Sequence, residues 1–234
     1  MSFLLSGRRV DAIPDSVVAQ WEMAEGAGDI FADAVGSADG SLVGGADWES
    51  DSDAVGGFVT TYDGERDTHG VVDQSDTTEL GDSGTLLITT EVRDTSSFPQ
   101  VIWHHRESSD TDDRLYVRFE DTSEIRVGIV GEVPLHSYPL TSDTKIRVGL
   151  RWDNGSYTLF AGDEGDSSST EIGSGAYSGS VTTTNSDWYF GAQDVGASGG
   201  SDNNLAGALD NPILFDEPLS DSDIEDDFTG QPWS

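Results

Sequence analysis

The chain contains no cysteine and a single lysine, and its apolar residues never form a long run. Without cysteine there can be no disulfide, thiolate metal ligand or cysteine nucleophile. A membrane-spanning helix needs about 20 apolar residues in a row. No segment of this chain approaches that length, so we predict no membrane insertion. The apolar run near the N-terminus covers only Phe3 to Leu5, which is too short for a signal peptide. We therefore expect synthesis in the cytoplasm without a classical export signal.

Positive charge is scarce and negative charge is abundant. Of the 234 residues, 45 are Asp or Glu and 11 are Lys or Arg, which gives a formal net charge of −34. Self-repulsion at this density destabilises a compact fold in dilute buffer, whereas molar salt shortens the screening length from about 10 Å to about 3 Å. The composition therefore indicates a halophilic origin. It also argues against nucleic acid and anionic lipid as partners, because both bind basic surfaces.

Alternation of apolar and polar residues with a period of two dominates the chain, as expected of half-buried β-strands. Clear examples are residues 86–93 and 145–152. The Asn154-Gly155 turn that follows is typical of a hairpin between antiparallel strands. Loops rich in Gly, Ser and Asp separate further short strands. We predict an all-β, two-sheet antiparallel jelly-roll sandwich with one short C-terminal helix.

The chain is predicted to form one domain preceded by an arm. Residues 17–234 are assigned to the domain, and residues 1–16, with Pro14 near their end, are assigned to a separate arm. We expect this arm to anchor the domain to a particle or to contact other copies in a homo-oligomer. Near the other end a short helix is predicted at 220–227, where Ser220 has a residue type that caps helices.

Several short motifs follow one another along the chain. They are Gln20 to Gly28, Asp33, Gly40 to Leu42, Phe58 to Gly64, Gly191, Leu205 to Asn211, and Phe215 with Pro218 to Ile224. In this order they resemble LamG-like domains of the concanavalin A-like lectin/glucanase superfamily, over about residues 17–228, and the resemblance implies the same sandwich. Pro212 departs from the pattern and predicts an edge or bulged strand, because proline has no N–H to donate. The neighbouring Ile213 is expected either to contact another subunit or to repack within the core.

The resemblance also implies a calcium ion, because LamG-like domains often hold one that is structural or bridges a ligand. The matched positions are Glu25, Asp33, Asp210 and Asn211. Carboxylate and carbonyl oxygens are the ligands that this hard cation prefers. The alternative interpretation of such acids, in a chain with 45 of them, is a solvated surface.

The few cations are concentrated in one segment, because residues 93–151 contain eight of the eleven. Strand alternation places six of them at outward positions, with one tyrosine among them. The set is Arg114, Tyr116, Arg118, Arg126, Lys145, Arg147 and Arg151. Arginine pairs with carboxylate or sulfate through two parallel hydrogen bonds, and an aromatic ring can stack on a sugar. We predict a ligand-binding face here; internal ion pairing and a subunit interface are the alternatives.

Catalytic and transition-metal candidates are few. Glucanases of the same superfamily place two carboxylates on one strand face, and glycosidases need them about 5–5.5 Å or 6.5–9.5 Å apart. Glu120 and Glu124 have the required spacing but fall in a predicted turn. His104 and His105 are adjacent, so a strand would point them to opposite faces and away from a shared metal ion. We therefore expect that the protein is not an enzyme.

Together these features favour a non-enzymatic adhesion module that binds a surface glycan or glycoprotein of a halophilic host. The lack of an export signal and the N-terminal arm favour a virion surface protein of a halophilic archaeal virus over a protein secreted by a haloarchaeon. The expected location is the virion surface or the extracellular space, with the cytoplasm as the alternative. The competing functions are a purely structural virion subunit, such as a decoration or turret protein, and a glycan-active enzyme.

Overall fold

The computed structural model describes residues 14–65, 67–73, 80–106, 114–163, 170–181, 187–193 and 203–228. Within these residues the chain forms sixteen β-strands and one α-helix. The strands are β1 (Val17–Gln20), β2 (Ile30–Phe31), β3 (Gly40–Val43), β4 (Asp47–Ser50), β5 (Phe58–Asp63), β6 (His69–Val72), β7 (Ser83–Val92), β8 (Gln100–Arg106), β9 (Arg114–Phe119), β10 (Glu124–Ile129), β11 (Leu135–Ser137), β12 (Lys145–Asp153), β13 (Ser156–Asp163), β14 (Thr170–Ala176), β15 (Trp188–Phe190) and β16 (Ala206–Phe215). The helix α1 is Asp221–Phe228.

The strands form two antiparallel sheets of eight strands each. Sheet A has the order β14-β13-β12-β7-β16-β5-β4, and β1 also pairs with β16. Sheet B has the order β11-β10-β9-β8-β15-β6-β3-β2. The predicted all-β sandwich of two antiparallel sheets with one short C-terminal helix is confirmed.

The main core lies between the sheets and uses every second residue of the alternating strands. Sheet A contributes Ile146 and Val148 of β12, and sheet B contributes Ile125 and Val127 of β10, all of them buried. Successive side chains of a strand point to opposite faces. The residues between these apolar positions therefore lie on the outer faces of the sandwich, where the predicted ligand-binding cations are found.

A second, smaller core covers part of the outer face of sheet A. Ile224 and Phe228 of α1 pack there against Leu87, Phe160 and Phe215 of the sheet. Burying each of these side chains contributes about 1.5–3 kcal/mol. The outer face of sheet A is thus partly occupied by the helix of the same chain.

The start of α1 has the predicted cap. The Asp223 N–H donates to Ser220 Oγ at 3.2 Å, and the Ser220 N–H donates to Asp223 Oδ2 at 3.3 Å. This reciprocal pattern satisfies two backbone donors that a helix N-terminus would otherwise leave unpaired. No helix in the described part of the chain is long and apolar enough to cross a membrane.

The strand β16 carries the irregularity that Pro212 predicts. Its register with β7 shifts between Asp210 and Ile213, and Asn211 has a φ of 46°. The first half of the strand pairs with β5 and the second half with β1. The bulge is therefore confirmed, whereas the subunit contact considered for Ile213 is wrong, because α1 of the same chain buries this side chain in the second core.

Most of the predicted N-terminal arm, residues 1–16, lies outside the described residues. The Val17 N–H donates to the Pro14 carbonyl, and the Asp216 N–H donates to the Ser16 carbonyl, both at 3.0 Å. The last residues of the predicted arm are therefore bonded to the domain. The anchoring role of the arm stays a prediction.

Candidate functional site

The predicted cationic face is divided between the two sheets. Arg118 and Arg126 lie on β9 and β10 of sheet B, whereas Lys145, Arg147 and Arg151 lie on β12 of sheet A. Because all five lie on outer faces, the sandwich separates the two groups. The prediction of one continuous face is wrong, since alternation tells which side of a strand a residue takes but not which sheet the strand joins.

The sheet A arginines hold the helix α1. Arg147 Nε donates to Asp227 Oδ2 at 2.6 Å, near the end of the helix, and Arg147 Nη1 donates to the Asn211 carbonyl at 3.0 Å. Arg151 Nη1 donates to Asp221 Oδ1 at 2.6 Å, at the start of the helix. These two residues were predicted to bind a ligand, but the structure gives them internal partners instead.

The sheet B arginines share one carboxylate. Arg118 and Arg126 are direct cross-strand partners. Arg118 donates to Glu120 Oε2 from Nε at 3.0 Å and from Nη2 at 2.9 Å, and Arg126 donates to the same oxygen from Nε at 2.9 Å. The side chains of Arg118, Arg126 and Glu120 are 17%, 22% and 25% exposed. We call these three residues the Arg–Glu–Arg cluster; Arg114 is also on β9, but its side chain lies outside the described residues.

Tyr116 lies beneath this cluster. The guanidinium carbon of Arg118 is 5.5 Å from the centroid of the Tyr116 ring, at a distance typical of cation–π contacts. The ring packs over Gly128, where an added Cβ would come within 1.9 Å of it. Because Tyr116 is only 5% exposed, its ring is not open for the predicted stacking on a sugar. It supports Arg118 instead.

Sequence reasoning missed a row of rings that continues from Tyr116 across sheet B. The register aligns Tyr116, His104 and Tyr189 on β9, β8 and β15, and the His69 ring of β6 lies 5.8 Å from the Tyr189 ring. Burial lowers the pKa of His69 below its ordinary value. These residues were visible in the sequence only as separate positions, because the order of the strands in the sheet was unknown.

The two adjacent histidines point to opposite faces, as predicted. His104 contacts the Tyr116 ring at 5.7 Å on the outer face, and His105 contacts the Trp188 ring at 4.7 Å in the core. Throughout the described ranges, no three His, Asp or Glu side chains are arranged to hold a metal ion.

The residues predicted to bind calcium have other partners. Asp33 is buried and accepts three backbone N–H groups, from Gln20 and Val35 at 3.0 Å and from Ala38 at 3.2 Å. The side chains of the remaining three are also acceptors: Glu25 accepts from the Ala32 N–H, Asp210 from the Val55 N–H, and Asn211 from the Gln20 side chain. These contacts are those of carboxylates and amides that fix the backbone. Calcium binding stays a prediction.

The pair Glu120 and Glu124 flanks a hairpin turn, as predicted. β9 ends at Phe119 and β10 begins at Glu124. Within the turn the Ser123 N–H donates to Asp121 Oδ1, and this backbone hydrogen bond lowers the Asp121 pKa. The two glutamates therefore do not occupy the single strand face on which glucanases place their carboxylates.

A cleft of about 400 Å³ opens beside the cluster, between the β10–β11 turn and β14. Its lining includes Glu132, Val133, Pro134 and Tyr157. Arg126 Nη1 approaches the Val133 carbonyl at 3.5 Å, so the cleft adjoins the cluster. A second cleft of about 270 Å³ lies near Arg151 on the helix side of the sandwich.

Comparison with known proteins identifies similar structures but no family. No protein-family model matches the sequence, and no curated protein sequence matches it significantly. Domain 4 of AbnA, a GH43 extracellular arabinanase from Geobacillus stearothermophilus solved with arabinotriose, has a TM-score of 0.64 and 12% identity, covering 92% of this chain and 97% of that one. A Trypanosoma rangeli sialidase with 2,3-difluorosialic acid has a TM-score of 0.67 and 13% identity over 93% of this chain, which spans 33% of the sialidase chain. The likeness shows the fold alone.

Proposed function

We propose that this protein is a non-enzymatic adhesion module that binds a surface glycan or glycoprotein through the outer face of sheet B. The observation that carries the proposal is the Arg–Glu–Arg cluster, which presents two cations on one carboxylate in a chain whose net charge is −34. The other outer face is partly occupied by α1. Sheet B is therefore the face that we assign to binding.

The similar structures support a sugar as the ligand class. The arabinanase domain was solved with arabinotriose, and the sialidase was solved with a sialic acid derivative. These ligands belong to those proteins. The arabinanase domain supports the proposal because the match covers 97% of it, so its sugar is bound by the same kind of sandwich. The match covers only 33% of the sialidase chain, so the sialidase ligand carries no argument, and a fold by itself hosts many functions.

We place the module on the virion surface of a halophilic archaeal virus. The large negative charge supports molar salt as its working medium. In this setting the N-terminal arm contacts other virion subunits or other copies of the chain, and the sandwich faces the host. Catalysis is not part of the proposal, because Glu120 is ion-paired to two arginines and a turn separates it from Glu124.

Binding of the labelled protein to halophilic archaeal cells in molar salt tests this function. We expect saturable binding that a surface-glycan extract competes away, and no release of sugar from the extract. A parallel arm with a chelator tests whether calcium takes part. Folded protein that binds none of the tested hosts would contradict adhesion and favour a purely structural virion subunit, whereas release of sugar would favour an enzyme.

A further inference from the structure

We propose that the Arg–Glu–Arg cluster binds an anionic group of the glycan, either a carboxylate or a sulfate ester. The inference rests on the proposed function and specifies the chemistry that the site recognises. The ligand group would occupy the side of the two guanidiniums that Glu120 leaves open, with direct hydrogen bonds to Arg118 and Arg126.

The charges of the Arg–Glu–Arg cluster are unbalanced, with two cations on one carboxylate. Arg93 pairs with two carboxylates, those of Glu49 and Glu91. Lys145 pairs with Asp51, Arg147 with Asp227, and Arg151 with Asp221. In none of these contacts does one carboxylate hold two cations, whereas in the Arg–Glu–Arg cluster Glu120 holds both Arg118 and Arg126. Like charges at directly opposed positions destabilise a sheet, and one carboxylate compensates only one of the two.

The two guanidiniums of the cluster have more hydrogen-bond donors than Glu120 uses. A guanidinium has five N–H donors. Arg118 uses Nε and Nη2 on Glu120, and Arg126 uses Nε on Glu120 and Nη1 on the Val133 carbonyl. Nη1 of Arg118 and Nη2 of Arg126 donate to no residue within the described ranges. We assign them to an acceptor from solution, and a planar carboxylate or a sulfate suits such donors.

Exposed apolar side chains lie beside the cations of the cluster. Leu135 of the edge strand β11 is the direct cross-strand partner of Arg126 and is 42% exposed. Val133, which lines the adjoining cleft, is 43% exposed. A sugar ring has apolar C–H faces that can cover such side chains, whereas a small inorganic ion cannot. The combination therefore favours an acidic sugar over a free anion.

Molar salt also favours an acidic sugar over a free anion. At 1 M salt the screening length is about 3 Å, so long-range attraction contributes little and only groups in direct contact interact strongly. Chloride is also present in large excess. A ligand that competes with it needs several simultaneous contacts, which the two guanidiniums and the adjacent aliphatic side chains provide.

The test uses the surface-glycan extract in three forms: native, carboxyl-reduced and desulfated. Each form competes with the labelled full-length protein for binding to cells in molar salt. We expect one of the two neutralised forms to lose competition at least about tenfold, a factor that corresponds to 1.4 kcal/mol. The form that loses competition identifies the group as carboxylate or sulfate.

A matched pair of variants tests whether the anionic group binds at the Arg–Glu–Arg cluster. Glu120→Gln removes the internal anion, so we expect the native extract to bind several-fold more tightly. Glu49→Gln makes the same substitution and the same change of net charge beside Arg93 in sheet A, and should change nothing. If both neutralised extracts compete as well as the native one, or if Glu120→Gln leaves affinity unchanged or lower, the anion site is wrong although adhesion stands. Absence of competition by every form would contradict the proposed function itself.

Discussion

Arg147 of β12 and Asp227 near the end of α1 form a buried ion pair, with Nε and Oδ2 2.6 Å apart and side-chain exposures of 5% and 0%. A carboxylate near the C-terminus of a helix is unfavourable, because this end carries partial negative charge. The arginine compensates for it. Since Arg147 also donates to the Asn211 carbonyl, one guanidinium connects the helix, β12 and the bulge of β16.

Arg147→Met should lower the free energy of unfolding by about 3–5 kcal/mol, because it removes the Arg147 counter-charge from the buried Asp227 carboxylate. The double variant Arg147→Met with Asp227→Leu should recover most of this loss. Urea denaturation in molar salt measures both. Arg151→Met is the matched control, and it should cost less than about 1 kcal/mol, because its partner Asp221 is 79% exposed. Equal losses for the two single variants would contradict this account of the pair.

Gly128→Ala should destabilise the protein by about 1–3 kcal/mol, because the new Cβ meets the Tyr116 ring and overpacks the contact beneath Arg118. Gly81→Ala is the control, since a Cβ there meets no atom within 4 Å. Thermal melting of the two variants compares them directly. The assignment of Tyr116 as the support of Arg118 fails if the two melting temperatures are the same.

The period-two pattern was sufficient to predict the sandwich, because burial of alternate residues is a local property of each strand. The bulge at Pro212 and the cap at Ser220 were also predictable, since each depends on the chemistry of one or two neighbouring residues. The site was predicted less well. Arg126 and Arg147 could share a face only if β10 and β12 belonged to the same sheet. The assignment of strands to sheets is determined by contacts between residues that are distant in the sequence.

Stability should fall as the pH decreases below about 6.5. Burial lowers the pKa of both His69 and His136, so the unfolded chain takes up protons first. The stabilisation is complete above the unfolded value of about 6.5 and is lost as the pH falls through the lower folded values. His136→Asn, which removes one of these groups, should show a smaller drop in melting temperature over this range. If the melting temperature of His136→Asn depends on pH as strongly as that of the wild type, His136 does not contribute to the pH dependence of stability.

The melting temperature should rise steeply between 0.1 M and 2 M NaCl, because screening relieves repulsion among 45 acidic side chains. Differential scanning fluorimetry over this series measures the effect. Sodium sulfate at equal ionic strength separates screening from the general strengthening of apolar burial by sulfate. A melting temperature that is constant or falls with NaCl would rule out the halophilic interpretation.

The most direct test of the central claim compares three proteins on the same halophilic archaeal cells in molar salt. They are the wild type, the double variant Arg118→Gln with Arg126→Gln, and Arg93→Gln as a control for the loss of a cation just after β7, at sheet A. We expect the double variant to lose binding at least about tenfold with little change in melting temperature, and Arg93→Gln to bind like the wild type. Undiminished binding by a folded double variant would contradict the assignment of sheet B as the glycan-binding face.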